Sequence, residues 1–383
     1  MSESPHDVRT EPRLIHTLRD DVGHVLEDVR KRGIRRSFGG TLGDLEHFYL
    51  SEPTRRRLAT LPAIPRAAQR FWLLIRGLLM KLTPTRRVLL AAALLLLLFD
   101  NQRLDVDDVH ITFSYRVVSI GLFILLLMLE LKDKLVARDE LQAGRAVQIA
   151  LMPQRSPAVR GWDVWMYTEP ANDVGGDLVD HLPIDDTRHG VVLGDVAGKA
   201  LPAAILMVKL QATLRALIPQ FTSLSDLGAG VNRILVRDGL PSRFATLIYL
   251  VLTADSGSVR VLNAGHPPPL VVRGAVIDEL PRGSIALGIL ADAVFAEQSV
   301  DLGDGDVLIA YSDGVTEAAH AGDDFFGEER LKDAVRRTAG MSAAVIGEEI
   351  VRALAEFVGD APPHDDVSLV VVRRVRSTQG GRG

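Results

Sequence analysis

The chain of 383 residues contains no cysteine. That absence excludes disulfides, thiolate metal sites and cysteine nucleophiles, and it fits a reducing cytosol without requiring one. Excess positive charge is also missing. Lys and Arg number 44 against 49 Asp and Glu, a net charge of -5, so the whole chain carries no footprint for nucleic-acid binding and none is expected as a partner. Met1–Thr10 is polar and acidic and lacks the basic-then-apolar order of a signal peptide. There is no internal repeat, and the histidines lack the spacing of a zinc site. What is present is ordinary for a folded protein, with 47% apolar and 24% charged residues. The length allows about two structural units.

The first segment, 1–65, reads as a partly disordered tail, polar to about Arg36, with a short helix over Thr41–Leu50 capped by Thr41. The run Arg55–Arg57 reads as solvated or lipid-facing. Over Arg66–Leu82 the residues Phe71, Trp72, Leu74, Ile75, Leu78, Leu79 and Leu82 recur at helical spacing among Arg66, Arg70, Arg76 and Lys81. This predicts an amphipathic interfacial helix over 66–83, a helix packed on a soluble core being the alternative. Val88–Phe99 and Val117–Leu129 are apolar runs. Twelve helical residues reach about 18 Å, short of a hydrocarbon core of about 30 Å. By length alone the runs also suit buried helices or a re-entrant hairpin, but they are apolar on every face. Arg86, Arg87, Lys132 and Lys134 flank the pair, and the loop between holds Asp100, Asp105, Asp107 and Asp108 against Arg103 and Arg116. The positive-inside rule then predicts a two-helix membrane hairpin over 84–131, multi-pass in the cell membrane, with both chain ends cytoplasmic and the bilayer as partner.

A charged helix follows without a spacer, giving a linker over 132–155 that ends at Pro153 and Pro157. Its seam of Leu131, Leu135, Arg138, Gln142, Arg145 and Ile149 is half polar, which suits only a weak or switchable homodimer contact. A shift in the hairpin or in dimer packing would move this helix. From 156 to 376 the pattern changes to short strands: Trp162–Thr168, Leu178–Ile184, Gly190–Leu193, Phe244–Leu252, Val259–Leu262, Leu270–Val272, Val307–Tyr311 and Val367–Val372. Helices over Leu201–Leu217, Leu224–Val236, Glu328–Thr338 and Ala343–Val358 are inserted in blocks. This is an α+β layered domain, not an alternating doubly wound sheet. Ser377–Gly383 is a Gly-rich tail.

Four aspartates stand where apolar runs meet loops: Asp177, Asp195, Asp313 and Asp365, the last followed by Asp366. A hairpin centred on Asp185–His189 would set Asp177 against Asp195. Antiparallel pairing of the strands at Val307 and Val367 would set Asp313 beside Asp365 and Asp366. The four converging carboxylates carry roughly four negative charges, matching two divalent cations. Without thiolates or suitable histidines, such a set prefers Mg2+ or Mn2+, and two such ions can activate a water for displacement at phosphorus. Gly175, Gly176, Gly194 and Gly314 allow close backbone approach, and the Val196 carbonyl is a further candidate ligand.

The ordered series Val-Gly-Gly-Asp, Gly-Asp-Val-Ala-Gly-Lys-Ala-Leu-Pro-Ala-Ala, Asn-Ala-Gly-His-Pro-Pro, Tyr-Ser-Asp-Gly-Val-Thr-Glu-Ala, Phe-Gly-Glu-Glu-Arg-Leu and Asp-Asp-Val-Ser-Leu-Val-Val-Val resembles the SpoIIE/RsbU-type branch of the metal-dependent protein serine/threonine phosphatases, the PPM family. Each motif alone is weak, and the six in order, from about Asp139 to Arg374, are specific. The resemblance implies a central β-sandwich flanked by helices, a dinuclear Mn2+/Mg2+ centre, and hydrolysis of phosphoserine or phosphothreonine on a bacterial signalling protein such as a phosphorylated anti-sigma-factor antagonist. On that pattern Asp177 and Asp195 carry catalysis. Asp195 would bridge both metals, Asp177 would support one of them, and Asp313 with Asp365 or Asp366 would complete a shell. Asp365 is favoured because relatives outside this branch often have Asn at the second position. Ala200 stands where relatives often have glycine, and the change is expected to be tolerated. No counterpart of the histidine beside the bridging aspartate in eukaryotic relatives is found, and nothing before Asp139 matches a sensor module. Lys199 as a phosphate ligand is the lesser reading, His266 reads as a structural turn residue before a phosphate-orienting one, and Asp173 and Asp180 read as solvated turn acids or supporting partners. The alternatives to a phosphatase are a catalytically silent membrane scaffold that keeps the fold for partner binding, and a hydrolase of small phosphate esters.

Overall fold

The computed structural model describes residues 62–376, apart from 100–101, 107–108, 154–155, 239–242, 321–323 and 360, together with Thr54 and Leu58. Most of the expected N-terminal tail, the Thr41–Leu50 helix, the Arg55–Arg57 run and the tail Ser377–Gly383 lie outside the described residues. The chain divides into two compact units between Asp133 and Lys134.

In the first unit, helix α1 spans Ala63–Lys81 and α2 spans Pro84–Leu96, where Pro84 sits in the first turn that lacks amide acceptors. Strands β1 (Gln102–Val106) and β2 (Val109–Phe113) form an antiparallel hairpin in the segment that the sequence reading treats as a plain loop. Helix α3 then runs unbroken over Tyr115–Leu151. Ala93 on α2 and Ser119 on α3 are fully buried, and the Ser119 hydroxyl donates to the Ala93 carbonyl at 2.7 Å; two small residues let the helices come close. At the other end Arg86 pairs with Glu130 at 2.8 Å and Asp133 at 2.6 Å. One helical stretch among the described residues, Ala200–Gln220, is long and apolar enough to cross a membrane, and it belongs to the second unit. Helix α2 has only 13 residues, and the apolar part of α3 is bounded by Arg116, Glu130 and Lys132.

The second unit is a β-sandwich. Its strands are β3 (Trp162–Glu169), β4 (Leu178–Pro183), β5 (Arg188–Val196), β6 (Ala245–Thr253), β7 (Ser258–Ala264), β8 (Leu270–Arg273), β9 (Val276–Glu279), β10 (Glu297–Asp301), β11 (Val307–Tyr311) and β12 (Val367–Arg374). They form two five-stranded sheets, ordered β10-β7-β6-β5-β4 and β3-β12-β11-β8-β9. Val179, Val191, Leu193 and Ile248 of the first sheet meet Val271, Leu308, Val370 and Val372 of the second in a shared core. Helices α4 (Ala200–Leu217) and α5 (Leu224–Asp238) cover the outer face of the first sheet through Leu210, Leu214 and Leu227. Helices α7 (Gly327–Arg337) and α8 (Ala343–Val358) cover the second through Leu331, Ile346 and Ile350. A one-turn helix, α6 (Asp313–Thr316), follows β11. Every residue of Val-Leu-Ile-Ala-Tyr in β11 is buried, because one face meets the other sheet and the other face meets helices. The expected strands and helices of this unit are all present. The sequence reading misses β9 and β10, which are short and rich in polar residues.

Helix α4 opens on Ala200 at φ 60°, in the left-handed region. A side chain there costs about 1–2 kcal/mol, so the alanine is retained at an energetic cost that the sequence alone does not show. Ala200→Gly is expected to raise stability by up to about 1 kcal/mol, the relief of strain being partly offset by the flexibility of glycine. Chemical denaturation checks this, and an unchanged or lower midpoint would contradict it.

Candidate active site

Backbone register brings the strand-end aspartates together. Pairing of β4 with β5 matches Leu178 to Gly194, and one step further Asp177 comes opposite Asp195. Pairing of β11 with β12 matches Tyr311 to Leu369 and continues through Ser312, whose amide donates to the Ser368 carbonyl at 3.0 Å. Asp313 follows directly, and Gly314 is pressed so close to Asp366 that a Cβ would lie 2.0 Å from its carbonyl oxygen. Only glycine fits there.

The first pair belongs to one sheet and the second to the other, and Asp366 joins them. Its carboxylate accepts the amides of Ala171 at 2.8 Å, Gly176 at 2.6 Å and Asp177 at 3.3 Å. Both oxygens are engaged with the loop before β4. Asp365 is half-exposed, and its Oδ2 lies 3.3 Å from the Lys199 ammonium. The two neighbouring acids, left as alternatives by the sequence, therefore have different surroundings: Asp366 clamps a loop, and Asp365 keeps a half-exposed carboxylate paired with Lys199. The same loop has a second anchor. Gln148 of α3, itself buried, donates to the Gly175 carbonyl at 2.9 Å and accepts the Gly175 amide at 3.2 Å.

The electrostatics record unbalanced negative charge. Asp177 is 3% exposed; burial first, then the charge of Asp195, raises its carboxyl well above the usual range. The Ser368 and Ser312 hydroxyls stand near and oppose that rise, but they donate to Thr168 Oγ1 at 2.8 Å and to the Asp366 carbonyl at 3.2 Å. Asp177 Oδ2 is thus buried without a hydrogen-bond partner among the described residues. Asp195 is pushed up to about 7, by burial and then by Asp313, Asp365 and Asp366. Asp313 is raised by burial and by Glu317 and Asp365. The Val196 carbonyl lies beside them, since a Cβ on Gly176 would sit 3.0 Å from it and 3.8 Å from Asp195 Oδ1. Among the described residues no three acidic or imidazole groups close into a tight cage; the carboxylates line an open edge. Hard oxygen donors with an orphaned buried oxygen and mutually raised carboxyls fit divalent Mg2+ or Mn2+.

A cleft of about 460 Å³ is lined by Asp195, Asp313, Thr246, His266, Arg282 and Ser284, among others. His266 is buried, and burial lowers its ring to about 3. Its Nδ1 lies 2.8 Å from Thr246 Oγ1. Thr246 pairs with Asp195 across β5 and β6. The Tyr311 carbonyl stands near the ring, although Nε2 lacks hydrogen-bond geometry to any group among the described residues. The neutral ring sits between Thr246, the neighbour of Asp195, and the carbonyl of Tyr311, two residues before Asp313. Asp180 is not a solvated turn acid: it is 1% exposed and bound by Arg215 at 2.9 Å and Gln211 at 3.0 Å, tying α4 to β4. The sequence reading misses Gln148 and Arg282. Gln148 is hidden in a polar helix, and Arg282 is signalled only by its position between Pro281 and Gly283.

The clamp has a measurable consequence. Asp366→Ala leaves three loop amides without their acceptor. Hydrogen–deuterium exchange over 170–177 should accelerate by about tenfold or more, the loss of about 1.5–3 kcal/mol from a charge-assisted bond. Unchanged exchange would remove Asp366 from this role.

Comparison with known proteins agrees with the geometry. The profile of Stage II sporulation protein E (SpoIIE) matches residues 185–375, which include Asp195, Asp313, Asp365 and Asp366 and begin after Asp177. The chain is 29% identical to protein IcfG of Synechocystis over 64% of this chain and 43% of that protein. It is 26% identical to phosphoserine phosphatase RsbU of Bacillus subtilis over 62% of this chain and 70% of that one. The fold is similar to that of the SiaA-PP2C domain of Pseudomonas aeruginosa, with TM-score 0.57, 21% identity, and 63% and 98% of the two chains covered. Motif order, sandwich topology and profile match converge: this chain belongs to the SpoIIE/RsbU-type family of PPM phosphatases.

Proposed function

We propose that this chain is a membrane-tethered protein serine/threonine phosphatase that hydrolyses phosphoserine or phosphothreonine on a signalling protein with two divalent ions, Mg2+ or Mn2+. The observation that carries the reading is the meeting of strand-end carboxylates from two sheets, with Asp177 Oδ2 buried and unpartnered and Asp195 pushed up to about 7. Asp195, Asp177, Asp313, Asp365 and the Val196 carbonyl would hold the ions. When bound, the ions supply an activated water and compensation of charge at the phosphoryl group. Lys199 orients Asp365, and Asp366 fixes the loop that presents Asp177.

The family resemblance makes a phosphorylated anti-sigma-factor antagonist the candidate substrate, and RsbU, one of the similar proteins, is named a phosphoserine phosphatase. Membrane attachment is supported by apolar surface on the first unit. Phe71 and Trp72 of α1, Leu94 and Leu95 of α2, and Val117, Ile120, Ile124, Leu127 and Met128 of α3 are all exposed, more than a soluble surface usually carries. The N-terminus and the phosphatase domain would then lie in the cytoplasm. Leu131, Leu135 and Ile149 on α3 are exposed as well, which supports a homodimer through the linker.

The purified chain with Mn2+ should hydrolyse a phosphoseryl peptide. Chelation should abolish turnover, and Asp195→Asn should lower it by at least about a hundredfold, since loss of a ligand exceeds the effect of a supporting residue. Equal rates for the two proteins would contradict the metal site, no turnover would leave the scaffold reading, and turnover of small esters alone would favour the small-ester hydrolase. After a carbonate wash the chain should remain in the membrane fraction; its release would refute integration.

A further inference from the structure

Resting on the phosphatase reading above, we propose that Arg282 binds the phosphoryl group of the substrate in the cleft beside Asp195 and Asp313. Arg282 is the only lysine or arginine among the described residues that line this cleft. Its guanidinium is exposed and makes no hydrogen bond or ion pair among them. The other cations near the carboxylates are occupied. Lys199 pairs with Asp365 and donates to the His364 carbonyl at 2.7 Å. Arg243 donates to the Ala197 carbonyl at 3.1 Å and packs against Gly198.

The backbone that carries Arg282 is fixed on both sides. Gln298 Nε2 donates to the carbonyls of Pro281 and Arg282 at 3.1 and 3.4 Å. Gly283 lies so close to Asn263 that a Cβ would sit 2.2 Å from its carbonyl oxygen. The Ser284 amide donates to that same carbonyl at 2.8 Å. An anchored loop thus offers a free guanidinium to a cleft whose other charged groups are acids.

Charge balance gives that guanidinium a task. Four carboxylates and two divalent ions sum to about zero, whereas a phosphomonoester brings a charge of about -2 at neutral pH. A guanidinium matches two phosphate oxygens at once, which an ammonium cannot do. His266, held neutral by burial, adds no positive charge.

The test is calorimetric titration of inorganic phosphate into the full-length chain in detergent with Mn2+, for wild type, Arg282→Ala and Arg282→Lys. Arg282→Ala should weaken phosphate binding by about tenfold to a hundredfold, with Arg282→Lys in between. Its Mn2+ affinity should equal that of wild type, which also reports that the variant is folded. Equal phosphate affinity in wild type and Arg282→Ala, or no phosphate binding to wild type, overturns the proposal. So does a variant that loses only affinity for the phosphoprotein, since Arg282 would then read the partner's side chains. Turnover of a phosphoseryl peptide by wild type is measured in parallel. Its absence counts against the phosphatase reading, while the phosphate titration alone decides Arg282.

Discussion

Mutual repulsion among carboxylates is the constraint around which the second unit is built. Two like charges about 4 Å apart cost about 4 kcal/mol at the dielectric typical of a protein surface. Asp195 feels Asp313, Asp365 and Asp366, and Asp177 feels Asp195. Side chains free to move would separate. They do not separate here because each is fixed to a strand end whose register is set by an apolar sheet. A slip of one residue in β5 would turn Val192 and Val196, buried against the helices, toward the other sheet. The cores on either side of each sheet therefore specify where the acids stand.

Asp366 converts two separate strand-end pairs into one site. Its three amide contacts draw the loop of the first sheet onto the end of β12 in the second. The adjoining glycines make that approach sterically possible, as a Cβ on Gly175 would lie 2.5 Å from Asp366 Oδ2. Gln148 fastens the same loop to the last turns of α3. The placement of Asp177 thus depends on a residue of the linker helix as well as on the sandwich.

Much of the sandwich is legible in the sequence, because its strands are dense in Val, Leu and Ile and four of them have the site's aspartates at or beside one end. The opposition of Asp177 and Asp195 follows from counting outward from the Asp185–His189 turn, and the observed register extends to that pairing. Other features are not legible. Asp365 and Asp366 are the same residue type, and only the path of the chain decides which one meets amides. Strands β9 and β10 are short and largely polar or exposed, so they lack the alternation that marks a half-buried strand. The acids of the β1–β2 hairpin mask its pairing in the same way. Arg86, counted from the sequence as a flanking charge, is paired with Glu130 and Asp133, a contact between residues far apart in the chain that local charge counting cannot reveal. The strain at Ala200 is a backbone property with no signature in composition.

The central claim is that these carboxylates form a two-ion site. Direct calorimetric titration of the full-length chain with Mn2+ tests it without reference to any substrate. The account predicts saturation at about two ions per chain, with fewer bound to Asp195→Asn. No binding, or identical binding by the variant, would contradict it.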